Sequence, residues 1–322
     1  MKAILDSINY RIPKSMRSLM GILVVLFVIT GFVDHYFFSF DSIGNTLQIA
    51  APLAIFGAGQ TIVMLTGGID LSLAMTATGA IYLISVKSSS GLLVAITWAV
   101  LFCLIIGAIN GIAIGIFKVN PLIMTLSMST VLIGFFSVGI STFLKGSSHV
   151  PDVFVTLSSG YIFGPVLSWP LVVWFIVATL VLFLLTRTGL GRLIYSIGDN
   201  ATAVRLAGVK VWKVQLASYI LCSLFAGIGG VILGGQSGAV SIDLATSLLL
   251  PTVAAVVIGG TSIMGGMGTY TGTIMGALIL AVISYLLSAL NTSEALKQII
   301  YGTIVLSLAW TYARISTNVR RH

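Results

Sequence analysis

Charged residues are scarce in this 322-residue chain: Asp, Glu, Lys and Arg make up 7% of it, whereas 57% of its residues are apolar. So small a charged fraction excludes a soluble globular domain, in which about a quarter of the residues are charged. Cysteine is also scarce. Cys103 and Cys222 both fall inside apolar runs, so we expect no disulfide framework. No Gly-x-x-x-x-Gly-Lys-Ser/Thr motif is present, so the chain has no phosphate-binding loop of its own.

Long runs without charge predict membrane-spanning helices. A run of about 18 apolar residues is long enough to cross the hydrocarbon core, and the windows from Lys87 to Lys118 and from Lys213 to Asp243 exceed that length. We predict an all-α, polytopic integral membrane protein with about ten spans in one transmembrane domain, residues 1–322. The predicted spans are 18–34, 46–66, 71–86, 91–117, 120–144, 169–186, 214–235, 246–260, 270–290 and 296–314.

The distribution of cations predicts the orientation, because Lys and Arg accumulate in cytoplasmic loops. With both termini in the cytoplasm, 13 of the 16 cations lie inside and 3 lie outside. The inner set is Lys2, Arg11, Lys14, Arg17, Lys118, Arg187, Arg192, Arg205, Lys210, Lys213, Arg314, Arg320 and Arg321, and the outer set is Lys87, Lys145 and Lys297. Topology thus explains the net charge of +8. Nucleic-acid binding is not expected, because the cations are dispersed over membrane-proximal loops.

Ionisable side chains are nearly absent from the predicted spans. His35, His149 and His322 lie outside the spans and far apart in the sequence, so we expect no metal site and no catalytic centre. Asp70 is the one acidic candidate, and it falls at a helix boundary. Proton-driven transporters often carry an intramembrane ionisable relay. The pattern therefore argues against proton coupling, while sodium coupling through backbone carbonyls stays open.

Two glycine-rich turns interrupt apolar runs at corresponding places. The first contains Gly67, Gly68 and Asp70, and Gly259 and Gly260 end another apolar run about 192 residues later. Glycine-interrupted segments at matching positions are typical of internal repeats with a pathway at their interface. We therefore predict two pseudo-repeated halves, the second to fifth and the seventh to tenth spans. Asp70 can cap the next helix or contact a solute.

Further polar residues are candidates for the lining or the gate of that pathway. Gln60, Asn110 and Thr125 lie inside predicted spans, and Asn120 precedes a proline as a helix N-cap often does. Each side chain can contact a solute or hydrogen-bond a neighbouring helix, and both interpretations stay open. The whole candidate set is Gln60, Gly67, Gly68, Asp70, Asn110, Asn120, Thr125, Gly259 and Gly260.

A polar island, residues 187–213, separates two apolar runs and holds five cations. Within it, Asp199 or Asn200 can cap a short helix that Gly208 ends in the left-handed conformation. A helix of about eight residues is marginal alone in water, so tertiary contacts or a partner, either lipid headgroups or a protein, must hold it. Composition alone favours neither.

The spacing of small and apolar residues predicts one face of this helix. Ala203, Leu206 and Ala207 share one face, while Arg205 points elsewhere and is free to pair with an acidic group. Such a face is suited to docking a soluble partner.

Four motifs carry a family resemblance, in order along the chain. They are Gly67-Gly68-Ile69-Asp70-Leu71-Ser72, Asn120-Pro121-x-Ile123-x-Thr125-Leu126, Gly191-Arg192-x-x-Tyr195-x-Ile197-Gly198-x-Asn200-x-x-Ala203-x-Arg205-Leu206-x-Gly208-Val209, and Ala254-Ala255-Val256-Val257-Ile258-Gly259-Gly260-Thr261-Ser262-x-x-Gly265-Gly266-x-Gly268. Over residues 20–315 the chain resembles the ribose/xylose/galactose-type permeases of ATP-binding-cassette importers.

The resemblance implies a transport subunit of the bacterial inner membrane that has no catalysis and binds no cofactor itself. It implies two cytoplasmic ATP-binding-cassette subunits that bind ATP and Mg²⁺, an extracytoplasmic solute-binding protein, and a second permease copy or paralogue within the lipid. It also implies that the helix at 199–208 docks in the ATPase and transmits its closure to the pore. The coupling residues are then Asp199, Asn200, Ala203, Arg205, Leu206 and Gly208.

Two departures from the family pattern bear on the solute. Leu249-Leu250-Pro251 stands where members usually carry Glu-Leu-Asp, and Val204 stands where a small Ala is usual. We therefore expect a monosaccharide other than ribose, a polyol or the sugar-like autoinducer-2. The alternatives are a branched-chain amino-acid-type permease of the same architecture and an ion-coupled secondary transporter, which needs neither an ATPase nor a binding protein.

Overall fold

The computed structural model of the chain describes residues 14–142 and 149–319. This described part is built of α-helices joined by short turns, with one small β-hairpin. The helices are α1 Lys14–Val33, α2 Phe40–Leu65, α3 Leu73–Lys87, α4 Leu92–Gly115, α5 Pro121–Ser141, α6 Asp152–Ser159, α7 Trp169–Arg187, α8 Gly189–Leu206, α9 Val211–Ser237, α10 Leu249–Ile258, α11 Tyr270–Ala289 and α12 Glu294–Val319. Short 3₁₀ helices cover His35–Phe38, Ser88–Ser90 and Thr246–Leu248, and strands β1 (Tyr161–Phe163) and β2 (Leu167–Ser168) pair in antiparallel fashion.

Seven of the described helices are long and apolar enough to cross a membrane: α1, α2, α4, α5, α7, α9 and α11. The prediction of a helical, polytopic membrane protein is confirmed at this level. Helices also occur at the three other predicted spans, as α3, α10 and α12. Five of the cations behind the predicted orientation lie outside the described residues, namely Lys2, Arg11, Lys145, Arg320 and Arg321.

α2 begins six residues before the predicted span, at Phe40 rather than at residue 46. Ser39 is its N-cap, and the Ser39 hydroxyl accepts a hydrogen bond from the backbone amide of Ser42 at 3.2 Å. Hydropathy places the start too late because the first turn is polar. An acidic side chain there, Asp41, suits the positive end of the helix dipole.

The short helices α3 and α10 lie inside the protein. Every residue from Leu73 to Ser85 of α3 is buried, as is every residue from Pro251 to Val257 of α10. α3 packs against α4 and α9, whereas α10 packs against α2 and α11. A helix that is apolar all round belongs in a core. Hydropathy therefore predicts these two helices but not their central position.

α4 and α9 pack closely along a line of glycines. A Cβ added at Gly107 would lie 2.6 Å from the Cα of Ile220, and one added at Gly111 would lie 2.7 Å from the Cα of Leu216. The spacing of four residues repeats at Gly115, which abuts the next turn of α9. Small residues at this spacing let two membrane helices approach until their backbones touch. This contact holds α9 beside the centre of the molecule.

Candidate functional site

α2 ends in a tight turn built on Gly67, which has a φ of 80°. The amide of Gly67 donates to the carbonyl of Met64 at 2.9 Å, and the amide of Gly68 donates to the carbonyl of Val63 at 3.2 Å. This pair of bonds is a Schellman motif, which requires a left-handed residue and therefore favours glycine. The turn directs the chain back into the protein toward Asp70.

Asp70 is completely buried behind this turn. Its Oδ1 accepts hydrogen bonds from the amide of Ser72 at 2.9 Å and from the Ser72 hydroxyl at 2.6 Å. Asn110 of α4 in turn donates from Nδ2 to the Ser72 hydroxyl oxygen at 2.9 Å. The N-cap position of α3 belongs to Ser72, so Asp70 orients the cap rather than occupying it. The structure thus brings two of the predicted site residues, Asp70 and Asn110, into one network.

Several buried polar side-chain atoms have no hydrogen-bond partner in the described part of the chain. They include Asp70 Oδ2, Asn110 Oδ1, the Tyr219 hydroxyl and both amide atoms of Gln60. The Cys222 thiol lies close to Asp70 but does not make a bond of normal geometry to Oδ2. Leaving a buried polar atom unpaired costs about 1–3 kcal/mol. Simple packing does not explain so many of them, and the sequence alone did not indicate Tyr219, because nothing in its local sequence places it near Asp70.

Asn120 and Thr125 lie at the start of α5, where Thr125 contacts this region. Asn120 is the N-cap of α5, where its Oδ1 accepts from the amides of Leu122 at 2.9 Å and Ile123 at 3.4 Å. The Thr125 hydroxyl lies 3.2 Å from the carbonyl oxygen of Ile69, in the first glycine turn. Asn120 therefore stabilises the start of its own helix, and Thr125 connects α5 to the turn directly beside Asp70.

The second glycine turn has the same hydrogen-bond pattern as the first. Gly260 has a φ of 85°, its amide donates to the carbonyl of Val257 at 2.9 Å, and the amide of Thr261 donates to the carbonyl of Val256 at 3.1 Å. Gly259 lies against the backbone of Gly272 in α11. Gly259 and Gly260 thus shape the end of α10 through the backbone.

The polar island is mostly helical, and α8 within it has a break. Asn200 has a non-helical backbone, with φ −153° and ψ 89°, and its Oδ1 accepts from the amide of Ala203 at 2.9 Å. Asn200 therefore caps a second helical segment, and Asp199 ends the first. The predicted short helix is the second half of a longer, kinked helix that starts at Gly189.

This second segment ends at Gly208, which has a φ of 85°. The amide of Gly208 donates to the carbonyl of Arg205 at 3.0 Å, and the amide of Val209 donates to the carbonyl of Val204 at 3.3 Å. The left-handed stop expected from the sequence is present, again as a Schellman motif.

The outer face of the second segment is open. Ala203, Arg205, Leu206 and Ala207 are exposed, and Leu206 is exposed to 85%. Val204 faces the other way and is half-buried against the core. The departure at Val204 therefore changes how the helix packs on the protein and not the composition of its outer face.

The turn between α4 and α5 lies beside this segment. Lys118 donates from Nζ to the carbonyl of Gly115 at 2.7 Å. Burial, and after it the nearby charge of Arg205, lowers the pKa of the Lys118 ammonium. Cations that the sequence assigns to the same side are therefore neighbours in space, and their positive potential suits an acidic partner.

The departure at Pro251 is accommodated by its place in α10. The helix begins at Leu249, so Pro251 occupies the first turn. The missing amide proton of proline costs no hydrogen bond there. α10 therefore starts without the acidic residues that the family pattern has.

Comparison with known proteins places these features in a family. A family model described as branched-chain amino acid transport system/permease component matches residues 42–309. The chain is 32% identical to a ribose import permease of Haemophilus influenzae, over 88% of each chain. It is 30% identical to a fructose import permease of Rhizobium meliloti, over 95% of this chain and 87% of the relative.

A third relative is an autoinducer 2 import system permease of Escherichia coli, 27% identical over 93% of this chain and 87% of the relative. No solved structure matches. The relatives and the seven apolar helices confirm the prediction of a multi-pass permease of the bacterial inner membrane. The chain belongs to the family of branched-chain amino acid transport system/permease components, in the group of sugar importer permeases.

Proposed function

We propose that this chain is the membrane-spanning subunit of an ATP-driven, binding-protein-dependent importer of a monosaccharide or a sugar-like solute. Relatives that cover most of the chain are named as permeases for ribose, fructose and autoinducer 2. These three solutes are small and rich in hydroxyl groups. Such solutes match a buried cluster of uncharged and acidic hydrogen-bonding groups better than they match an apolar pore.

One observation carries the proposed ATPase docking: α8 is broken at Asn200 and presents Leu206, 85% exposed, on a segment with an open outer face. An exposed apolar side chain among cations suits a protein partner with an acidic rim. The proposed docking residues are Asp199, Asn200, Ala203, Arg205, Leu206 and Gly208. ATP and Mg²⁺ are bound by the two partner ATPase subunits, and this chain contributes no catalysis.

The proposed pathway passes the first glycine turn. Asp70 and Asn110 share a hydrogen-bond network, and each retains an atom without a partner in the described residues, as does Gln60. Hydroxyl groups of a solute can donate to and accept from such atoms. Gly67 and Gly68 supply the turn behind which Asp70 lies, while Asn120, Thr125, Gly259 and Gly260 position the surrounding helices.

The finer topology is also part of the proposal. Ten spans, cytoplasmic termini and two pseudo-repeated halves fit the helices at the ten expected places and the matching turns after α2 and α10. A second permease copy or a paralogue completes the pathway in the lipid, and an extracytoplasmic binding protein delivers the solute.

The experiment reconstitutes the chain in proteoliposomes with and without its ATPase subunits, in the presence of the binding protein. We expect solute uptake that requires both ATP and the ATPase. Uptake driven by an ion gradient without the ATPase would refute the proposal. Arg205→Glu should weaken co-purification of the ATPase and leave membrane insertion intact, whereas Arg192→Glu, exposed in the first half of α8, serves as the matched control.

A branched-chain amino acid is the second candidate solute, because the matching family model carries that description. Competition for uptake distinguishes a sugar-like solute from an amino acid. Unlabelled ribose, fructose or autoinducer 2 should inhibit uptake of the native solute if it is sugar-like, and leucine should inhibit it if it is an amino acid.

A further inference from the structure

Gly198 lies directly before the kink of α8, in close contact with two distant parts of the chain. A Cβ added at Gly198 would overlap the carbonyl oxygen of Leu65, at the end of α2, and the amide nitrogen of Gly266. It would also lie 3.0 Å from the Cα of Gly266. Real side chains do not tolerate such distances, so glycine is required for this contact.

The first glycine turn and the loop that follows the second glycine turn contribute to the same contact. Gly265 and Gly266 have φ angles of 91° and 75°. A Cβ at Gly265 would lie 2.8 Å from the amide nitrogen of Gly67 and 3.0 Å from the Cα of Gly198. A Cβ at Gly266 would lie 3.0 Å from the amide nitrogen of Asp199. Three segments that are remote in sequence thus touch backbone to backbone. We call this contact the glycine junction.

Two hydrogen bonds fasten the junction. The amide of Gly266 donates to the carbonyl of Leu65 at 3.0 Å. The hydroxyl of Tyr195, one helical turn before Gly198, donates to the carbonyl of Gly268 at 3.0 Å. The first bond joins the end of α2 to the loop after the second glycine turn, and the second bond joins α8 to the same loop. A shift of α8 therefore either moves this loop and the end of α2 with it or breaks a bond.

The junction leads directly to the buried polar network. Four residues separate Leu65 from Asp70, and the turn between them is held by its own Schellman bonds. Asp70 orients Ser72, to which Asn110 of α4 is bonded. A displacement of Gly198 is thus passed through a rigid turn to Asp70, with no flexible side chain in between.

We propose that Tyr195 and Gly198 are positioning residues that couple ATPase closure to the pathway through the glycine junction. The inference rests on the proposed function, and it adds the route by which the docking segment reaches the pathway. Neither residue is on the open outer face, so neither is required for the ATPase to bind. Their loss should uncouple transport from ATP hydrolysis and leave the complex intact.

The test uses Gly198→Ala and Tyr195→Phe in the complete importer, reconstituted with ATPase subunits and binding protein. Each variant has a matched control. Gly189→Ala is in the same helix, where the nearest atom to an added Cβ is a terminal Arg192 nitrogen at 3.9 Å. Tyr161→Phe removes a hydroxyl of the exposed hairpin that donates to Asn45 Oδ1 of α2. Co-purification of the ATPase, the rate of ATP hydrolysis and solute uptake are measured for all four.

We expect the ATPase to co-purify with every variant, and solute taken up per ATP hydrolysed to fall about three- to thirtyfold in Gly198→Ala and Tyr195→Phe. Uptake per ATP that equals that of the controls in both variants would overturn the inference. If Gly198→Ala does not reach the membrane, Tyr195→Phe, which removes a single oxygen atom, decides alone. Failure of the proposed function is a different result, because the unaltered chain and both controls would then show no ATP-dependent uptake.

Discussion

Asn110 donates from Nδ2 to the Ser72 hydroxyl oxygen at 2.9 Å and so joins α4 to the N-cap of α3. Both residues are completely buried. The same serine donates to Asp70 Oδ1, so the serine hydroxyl is used as acceptor and donor at once. A chain of hydrogen bonds in a medium of low dielectric is strong when complete and costly when interrupted. The orientation of α3 therefore depends on an amide from another helix.

Replacing Asn110 with alanine should impair both stability and transport. The substitution removes the donor to Ser72 and leaves the serine lone pair unpaired, so the free energy of unfolding should fall by about 1–3 kcal/mol. Thermal unfolding of the purified protein measures this loss. If Asn110 also contacts the solute, uptake per correctly inserted molecule should fall as well.

The matched control is Thr97→Ala on the same helix. Its hydroxyl donates to the carbonyl of Leu93 one turn earlier and is exposed, so we expect little change in either measurement. Reduced stability of Asn110→Ala with normal uptake per inserted molecule would show that the network is structural and does not line the pathway.

Leu206→Ala should weaken ATPase binding far more than Val204→Ala. Leu206 is 85% exposed, whereas Val204 is half-buried against the core. Apolar anchors in an interface contribute most of its binding energy, so the Kd of the complex should rise about tenfold or more for Leu206→Ala. Val204→Ala should change the Kd by about twofold or less. Titration of the ATPase into permease-containing nanodiscs measures both, and equal effects would place the inner face against the partner.

Local sequence predicts much of the second half of α8, but it does not predict how this segment packs against the rest of the protein. The side chain of Asn200 and the amide of Gly208 each bond to a backbone group within four residues of them. Capping rules therefore predict the second half of α8. The direction of Val204 depends on how α8 lies on the protein. The contact of Gly198 with Leu65 joins residues far apart in sequence, and no periodicity in either segment indicates it. The glycines were visible as a motif, but only the fold shows what they touch.

The pKa of Lys118 should depend on the charge of Arg205. Burial and the nearby guanidinium both disfavour the charged ammonium, and they lower the pKa of Lys118. Removing the neighbouring cation with Arg205→Gln favours the charged form, so the pKa should rise toward its ordinary value. The rate of amine acylation at Lys118 at alkaline pH should then fall, since only the neutral amine reacts.

Arg192→Gln provides the comparison for that measurement, because Arg192 is exposed in the first half of α8 and is not among the causes of the Lys118 shift. Acylation of Lys118 is followed by mass spectrometry over a range of pH. If the pKa of Lys118 is the same in Arg205→Gln as in the unaltered chain, the charge of Arg205 does not affect Lys118 in the membrane.

Gly111→Val should separate α4 from α9. A Cβ at Gly111 would already lie 2.7 Å from the Cα of Leu216, so the two helices must move apart. Forcing extra volume into a close-packed contact costs about 1–3 kcal/mol, and thermal unfolding should show a loss of that size. Gly21→Val is the control, because nothing lies within 4 Å of a Cβ at Gly21 in α1.

The α9 helix displaced by Gly111→Val carries Tyr219 and Cys222 away from Asp70, so uptake should fall together with stability. Unchanged stability with normal uptake would mean that close α4–α9 contact is not needed to build the Asp70 network.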